Sequence, residues 1–370
     1  MHQENVDTGR QLPNVPDEAV GSYPAEVRRP DIRELLAPPG PVPEAVAENA
    51  PATPPSPPSN ATQEPRRDSV VVLGVPQHSG PRPPSYLPRP GALPSVGDDV
   101  DGAVLPDIVV DGASHGPLVV RAASVRGDSH RYGREPRQDA LCVARLGGED
   151  DGLLLLTVAD GVGSASRSHV GSNEACRHIA HFLQRSVDDL LCAVRDGDEM
   201  RFTALVNSAV GSTAEGLAQM AARREHRPEA YATTLRALLV PLDPTVRNRG
   251  FFAVGDGGVA RLRDGVWNVD LFDEQAGGMG VIDTKTAALP GARYAETRIF
   301  NSAAPGDVLV LCTDGLSTPL AGDAGMREFL GDAWGTGMAP EPADFLWQVQ
   351  FRVKSYDDDR TAICLWDGAA

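Results

Sequence analysis

The run from Leu153 to Ser164, L-L-L-L-T-V-A-D-G-V-G-S, constrains the fold more than any other stretch. The apolar or β-branched residues from Leu153 to Ala159 are enough for a buried strand and too few for a typical helix. Asp160 then falls where the strand meets solvent. Gly161 and Gly163, which lack a Cβ, let the backbone fold tightly around whatever that carboxylate binds. A second stretch repeats the plan: D-V-L-V-L-C-T from Asp307 to Thr313 is followed by Asp314 and Gly315. Taken singly, Asp-Gly after an apolar run is also the commonest spelling of a turn. The weight therefore falls on whether further acids follow the same plan.

Composition divides the chain before any motif is read. Of 32 prolines in 370 residues, 22 lie at or before Pro106. Segments such as Pro51 to Asn60 and Pro81 to Pro90 cannot bury enough surface to offset their ordering entropy. Residues 1–115 are thus expected to form a disordered, Pro-rich tail with polyproline character, and residues 116–368 one folded domain. Within the tail, the apolar run Asp68 to Val75 is short and flanked by prolines, and its default is unstructured, with a docking strand as the alternative. Arg28 to Leu36 has the composition of a helical turn on a partner, and Ser56, Ser69 and Ser79 are candidate phosphorylation sites by exposure alone.

A formal charge of −17 argues against non-specific nucleic-acid or anionic-membrane binding, which needs a basic surface. The five cysteines, Cys142, Cys176, Cys192, Cys312 and Cys364, are scattered without C-x-x-C spacing and read as reduced thiols of a cytoplasmic protein. No basic segment with an apolar core opens the chain, and no run reaches membrane-spanning length.

Along the domain, L-V-V-R-A-A-S-V after Pro117 reads as a strand. The polar loop Gly127 to Asp139 follows, then the strand A-L-C-V-A-R-L and a turn at Gly148 to Gly152. Helical spacing runs from about His169 to Ala193 and again from Glu199 to Glu225. His178 and His181, three apart on the first stretch, read as partly exposed helix residues because a third ligand is lacking. Ala230 to Phe272 returns to strands and reads as an antiparallel meander, with Asp264-Gly265 as a hairpin turn. A glycine-rich loop from Glu274 to Gly280 and the polar stretch to Pro290 have the makings of a flap. Helices are expected from Pro319 and near Pro342 to Lys354, before the closing strand T-A-I-C-L-W.

Acids thus stand at strand ends or entries at Asp139, Asp160, Asp256, Asp314 and Asp357 to Asp359. Sheets lay strand ends side by side, so carboxylates distant in sequence can converge. Like charges so placed repel unless a cation is present. Oxygen donors without Cys or His favour Mg²⁺ or Mn²⁺ over zinc.

The order and spacing of these motifs resemble the metal-dependent protein phosphatase family, the type 2C serine/threonine phosphatases of bacterial type. The resemblance covers about Pro117 to Asp367 and rests on R-x-x-x-Q-D at Arg134 to Asp139, V-A-D-G-V-G-S, A-T-T-L at Ala232 to Leu235, V-G-D-G at Val254 to Gly257, C-T-D-G-L at Cys312 to Leu316, and D-D-R-T at Asp358 to Thr361. It implies an α+β fold: a four-layer αββα sandwich of two antiparallel β-sheets flanked by helices. It also implies hydrolysis of phosphoserine and phosphothreonine in proteins by a hydroxide bridging two Mn²⁺ or Mg²⁺ ions, opposing protein kinases. By resemblance, Asp160 bridges the two ions with the Gly161 carbonyl as a further ligand, and Asp314 and Asp358 hold the first ion. Asp139 orders water on the second, Asp256 shares a third, weaker ion with Asp314, and Arg134 grips the phosphate.

Three positions depart from the family pattern. Arg137 replaces a frequent asparagine, Ser164 and Ala165 replace a frequent glycine, and Val162 stands where some members carry a histidine general acid. That leaves His130 and His169 as neighbouring proton-donor candidates, His130 the more interesting because Ser129-His130 resembles a pair in a bacterial branch of the family. The rival reading is a phosphatase-fold module that binds partners with little or no catalysis. Expected partners are phosphorylated Ser/Thr proteins and, through the tail, a cognate kinase or a Pro-reading domain, with the chain a monomer.

Overall fold

The computed structural model describes residues 77–81, 100–149, 151–269, 271, 287–301 and 303–368. The runs Asp68 to Val75, Arg28 to Leu36 and Glu274 to Gly280 lie outside the described residues, as does most of the expected tail.

Two antiparallel sheets form the centre. Strands β1 (Ile108–His115), β2 (Leu118–Val125), β3 (Ala140–Leu146), β4 (Leu153–Ala159), β5 (Leu235–Pro241) and β6 (Arg249–Val254) come first. They are followed by β7 (Gly258–Arg263), β8 (Val266–Asn268), β9 (Glu296–Phe300), β10 (Val308–Cys312) and β11 (Arg360–Asp367). One sheet has the order β1-β2-β11-β10-β7-β8 and the other β3-β4-β5-β6-β9. Helices α1 (Val100–Val104), α2 (Asp128–Gly133), α3 (Ser168–Gln184), α4 (Val187–Asp196) and α5 (Glu199–Arg223) precede β5. Helices α6 (Asp314–Gly322), α7 (Ala324–Trp334) and α8 (Pro342–Val349) lie between β10 and β11.

Three apolar layers show how the sheets stack. Leu154, Leu156 and Val158 of β4 meet Leu309, Leu311, Ile363 and Leu365 of the other sheet in the central layer. Leu153 and Leu155, on the opposite face of β4, pack with Ile179, Leu190, Phe202 and Val206 of α3 to α5. Val310, Cys312 and Cys364 pack with Leu316, Leu330, Trp334 and Phe345 of α6 to α8. This is the αββα sandwich that the sequence implies. A strand buried on both faces has no polar side to alternate with, which is why β4 is written as an unbroken apolar run.

The structure corrects four boundaries. Strand β1 pairs along its whole length with β2, so the sandwich begins before residue 116. Residues 77–81 are also ordered: His78 bridges Arg352, and Ser79 donates to Asp323 Oδ2 at 3.1 Å. The helix expected from His169 to Ala193 is two helices, broken at Arg185 and Ser186, where the chain turns from one apolar stripe to another. The expected meander is divided between the sheets, β5 and β6 in one and β7 and β8 in the other, because the chain crosses over at Gly255 to Gly257. The turn at Asp264-Gly265 holds, with positive φ at both residues as the tight hairpin requires. No helix among the described residues is long and apolar enough to cross a membrane.

At the end of β11 far from Asp358, Asp367 ties the sheets together. Its carboxylate accepts from Arg247 at 2.8 Å and from Arg249, which starts β6, at 2.9 Å. Arg249 and Asp367 are each 1% exposed. Removing one partner leaves a buried charge uncompensated, so Asp367→Ala should cost about 3–5 kcal/mol in urea unfolding.

Candidate active site

The acids that close strands in sequence meet at one rim of the sandwich. A cavity of about 300 Å³ is lined by Asp160, Gly161, Asp256, Asp314 and Asp358, together with His130, Gln138, Val162, Gly163, Thr234, Ala287 and Ala288. Asp160 follows β4 of one sheet, Asp314 follows β10 and Asp358 precedes β11 of the other, and Asp256 sits on the crossover between them. Asp139 is 1% exposed and lies behind the lining, where Thr313 Oγ1 donates to its Oδ2 at 2.8 Å.

The motif residues between the acids hold the backbone that carries them. The Asp160 amide donates to Thr234 Oγ1 at 2.9 Å, and its carbonyl accepts from Thr234 N and Thr233 Oγ1. That is the work of A-T-T-L. Arg236 reaches from β5 to the Gly255 and Asp256 carbonyls and fixes the crossover loop. Gly315 is required by close approach: a Cβ there would lie 1.9 Å from the Asp359 carbonyl oxygen. Asp314-Gly315 opens helix α6 rather than a turn.

Three residues singled out in the sequence lie off the cavity lining. Arg134 is exposed, occupies a left-handed position (φ 64°) just after α2, and does not line the cavity. Arg137 is a structural residue, buried with its guanidinium on Ser124 Oγ and the Asp139 carbonyl. His169 is buried on α3 and off the cavity lining. Of the expected flap, Ala287 and Ala288 line the cavity. Among the described residues, His130, Asp358 and Asp359 offer ligand atoms that all lie within 4.8 Å of one another, and Asp160, Asp314 and Asp358 line the same cavity. Asp359 was hidden in the sequence by its neighbours, since nothing in D-D-D says which carboxylate turns inward.

The family model of protein phosphatase 2C matches residues 126–346. The chain belongs to the protein phosphatase 2C family. Solved structures with a similar fold include the catalytic domain of serine/threonine phosphatase PstP in complex with two manganese ions, at 24% identity, 68% of this chain and 99% of that one, TM-score 0.44. PstP/Ppp from Mycobacterium tuberculosis matches at 22% identity, 70% and 100% coverage, TM-score 0.42. Stp1 from Staphylococcus aureus matches at 16% identity, 68% and 95% coverage, TM-score 0.46. Overlaps of this size do not transfer a function. No curated protein matched the chain by sequence.

In this protein phosphatase 2C domain the carboxylates are crowded into a poorly solvated rim. Burial first, then the charges of Asp139, Asp314 and Asp358, push Asp160 up to about 11. Asp139 is pushed up to about 8 by burial and by Asp359. Asp314 and Asp358 move the same way, burial again the largest cause. Asp359 moves down: burial opposes this, but His130 and the Gly127 and Gln138 amides outweigh it. Hard oxygen donors that repel one another around a cavity are a fitting donor set for divalent cations such as Mn²⁺ or Mg²⁺.

The shifts give a sign for metal-free stability. A carboxyl whose folded value is raised holds its proton to higher pH than in the unfolded chain, so its contribution is full below the usual 3.8 and is lost as pH rises through about 8 for Asp139. Metal-free protein should therefore lose thermal stability as pH rises across that window, and Mn²⁺ should flatten the slope. Asp160→Asn should raise the metal-free Tm and shrink the increase that Mn²⁺ produces, measured by scanning calorimetry.

Proposed function

We propose that this chain is a protein-serine/threonine phosphatase that hydrolyses phosphoserine and phosphothreonine in proteins and so opposes protein kinases. The observation that carries the proposal is the convergence of Asp160, Asp256, Asp314 and Asp358 on one cavity, with Asp139 packed behind them. Asp160, the Gly161 carbonyl, Asp314 and Asp358 would hold two Mn²⁺ or Mg²⁺ ions, Asp256 with Asp314 a third, and Asp139 their water. Divalent cations in such a site supply a nucleophilic hydroxide near neutral pH and neutralise charge on the phosphoryl oxygens.

The protein's share is positioning. Thr233 and Thr234 lock the Asp160 backbone, Thr313 locks the Asp139 carboxylate, and Arg236 holds the Asp256 loop. None of these contacts has to reorganise when charge develops on the phosphoryl group, which is how a preformed site lowers a barrier. The cysteines need no part: Cys176, Cys312 and Cys364 are buried, and all five are unpaired, as suits a reducing cytoplasm.

Full-length protein with Mn²⁺ should release phosphate from a phosphothreonine peptide, and chelator should abolish the release. Asp160→Asn and Asp314→Asn should each lower kcat at least about a hundredfold, because several kcal/mol of charge stabilisation is lost. Equal rates in all four samples would leave only the binding-module reading.

A further inference from the structure

We propose that Ser79 is a phosphorylation site, and that phosphate on it releases residues 77–81 from the loop that leads to Asp358. The link from that loop to metal binding rests on the phosphatase reading above, whereas the release itself does not.

Residues 77–81 fall in the segment expected to be a tail, yet main-chain pairing fastens them to the folded domain. The Arg352 amide donates to the Gln77 carbonyl at 2.7 Å, and the Ser79 amide donates to the Arg352 carbonyl at 2.8 Å. This is one rung of a parallel ladder, with His78 opposite Arg352. Pro76 and Pro81 bound the rung, and proline has no N–H with which to extend it. A ladder this short has little cohesion of its own, so the side-chain contact of Ser79 weighs heavily in whether it stays closed.

The Ser79 hydroxyl makes that contact by donating to Asp323 Oδ2 at 3.1 Å. Asp323 is the N-cap of α7, and its Oδ1 accepts from the Met326 amide at 2.8 Å. A phosphoryl group on Ser79 Oγ removes the donated hydrogen and places about two negative charges against a carboxylate. One attraction opposes this. Ser79 lies over the first turn of α7, where a Cβ on Gly325 would come 3.0 Å from its Oγ, and a helix N-terminus carries roughly half a positive charge. Asp323 already meets that end with a whole charge of opposite sign. The one basic residue of α7, Arg327, has its Nη1 on the Leu320 and Ala321 carbonyls at 2.8 and 2.7 Å. Repulsion therefore wins, and the rung at Arg352 opens.

The rung braces the approach to the acidic rim. Arg352 carries its guanidinium to Asp128 Oδ2 on α2 at 2.6 Å. The next residue of α2, Ser129, donates its amide and its hydroxyl to the Asp357 carbonyl at 3.1 and 2.8 Å, and Asp358 follows. The phosphoryl donor is ATP, used by a serine/threonine kinase, the class of enzyme that the proposed activity opposes. The bond from the γ-phosphorus to ADP breaks as the bond to Ser79 Oγ forms, and the hydroxyl proton passes to solvent. Ser79 is half-buried while docked, and each opening of so short a ladder presents it to solvent.

The test uses full-length protein with phosphoserine incorporated at position 79 during translation. It is kept in chelator so that it cannot act on itself, and intact mass confirms the phosphate before and after. Hydrogen exchange should be about tenfold or more faster at the Ser79 and Arg352 amides than in unmodified protein. Ser79→Ala, which loses the hydrogen bond without adding charge, should change less. Asp323→Asn keeps an N-cap and turns an N–H toward the phosphate, so it should restore protection to the phosphorylated chain. In titration calorimetry Ser79→Asp, a charge that no phosphatase removes, should weaken Mn²⁺ binding severalfold. Peptide mapping of the chain isolated from the cells that make it should find phosphate on Ser79. Phosphorylated protein that is as protected as unmodified protein, or more so, overturns the proposal. So does equal acceleration whether residue 323 is Asp or Asn, and so do Ser79 and Arg352 amides that exchange at free-chain rates in unmodified protein. Ser79 found without phosphate in its own cells overturns the modification, and Mn²⁺ affinity that stays constant while the rung opens overturns the link to the rim. Wild-type protein that binds no Mn²⁺ yet opens its rung on phosphorylation sinks the phosphatase reading and leaves the release standing.

Discussion

Mutual repulsion of carboxylates in a desolvated rim is the constraint on which the rest of this structure depends. Asp160 feels the charges of Asp139 and Asp314, and burial raises all three. Such an arrangement opposes folding on its own account. It persists because strands β4 and β10, each buried on both faces, carry Asp160 and Asp314 to their positions whatever the charges prefer. The apolar layers supply the favourable term that holds the acids together against this repulsion.

Both sheets contribute, and the geometry of their joining decides which acids meet. Asp139 and Asp160 belong to the ends of β3 and β4, which pair from Ala140 with Ala159 onward. Asp314 and Asp358 flank β10 and β11, which pair from Cys312 with Ala362. The two pairs converge only because the sheets stack face to face with these ends at the same edge. Asp256 joins them from the crossover at Gly255 to Gly257, where positive φ at both glycines turns the chain from one sheet to the other. At the opposite edge, the Arg247, Arg249 and Asp367 cluster links β6 to β11, so opposite charges bind the sandwich at one end while like charges crowd the other.

Much of this was legible in the sequence. Apolar runs ended by Asp-Gly marked β4 and β10, helical spacing marked α3 to α5, and the alternation around Asp264-Gly265 marked the β7–β8 hairpin. The misreadings share a cause. A meander and a split pair of hairpins have the same local pattern, because hydrogen-bonded neighbours are chosen by how the sheets stack and not by any one strand. The break at Arg185 and Ser186 carries neither glycine nor proline, so nothing local announced it. Arg134 and His130 lie on one short polar stretch, and only the end of α2 after Gly133 sends one to solvent and keeps the other at the cavity.

The amino-acid sequence by itself determined which strands are buried and which residues could serve as hard oxygen donors, because those properties are local: side-chain polarity and period. Tertiary structure alone decided which carboxylates share a cavity, that Asp359 faces inward to four donors while Asp358 lines the rim, and that a histidine rather than an arginine stands beside them. Those outcomes depend on the stacking of two sheets and on contacts between residues more than two hundred positions apart, about which a reading of neighbours in the chain carries no information.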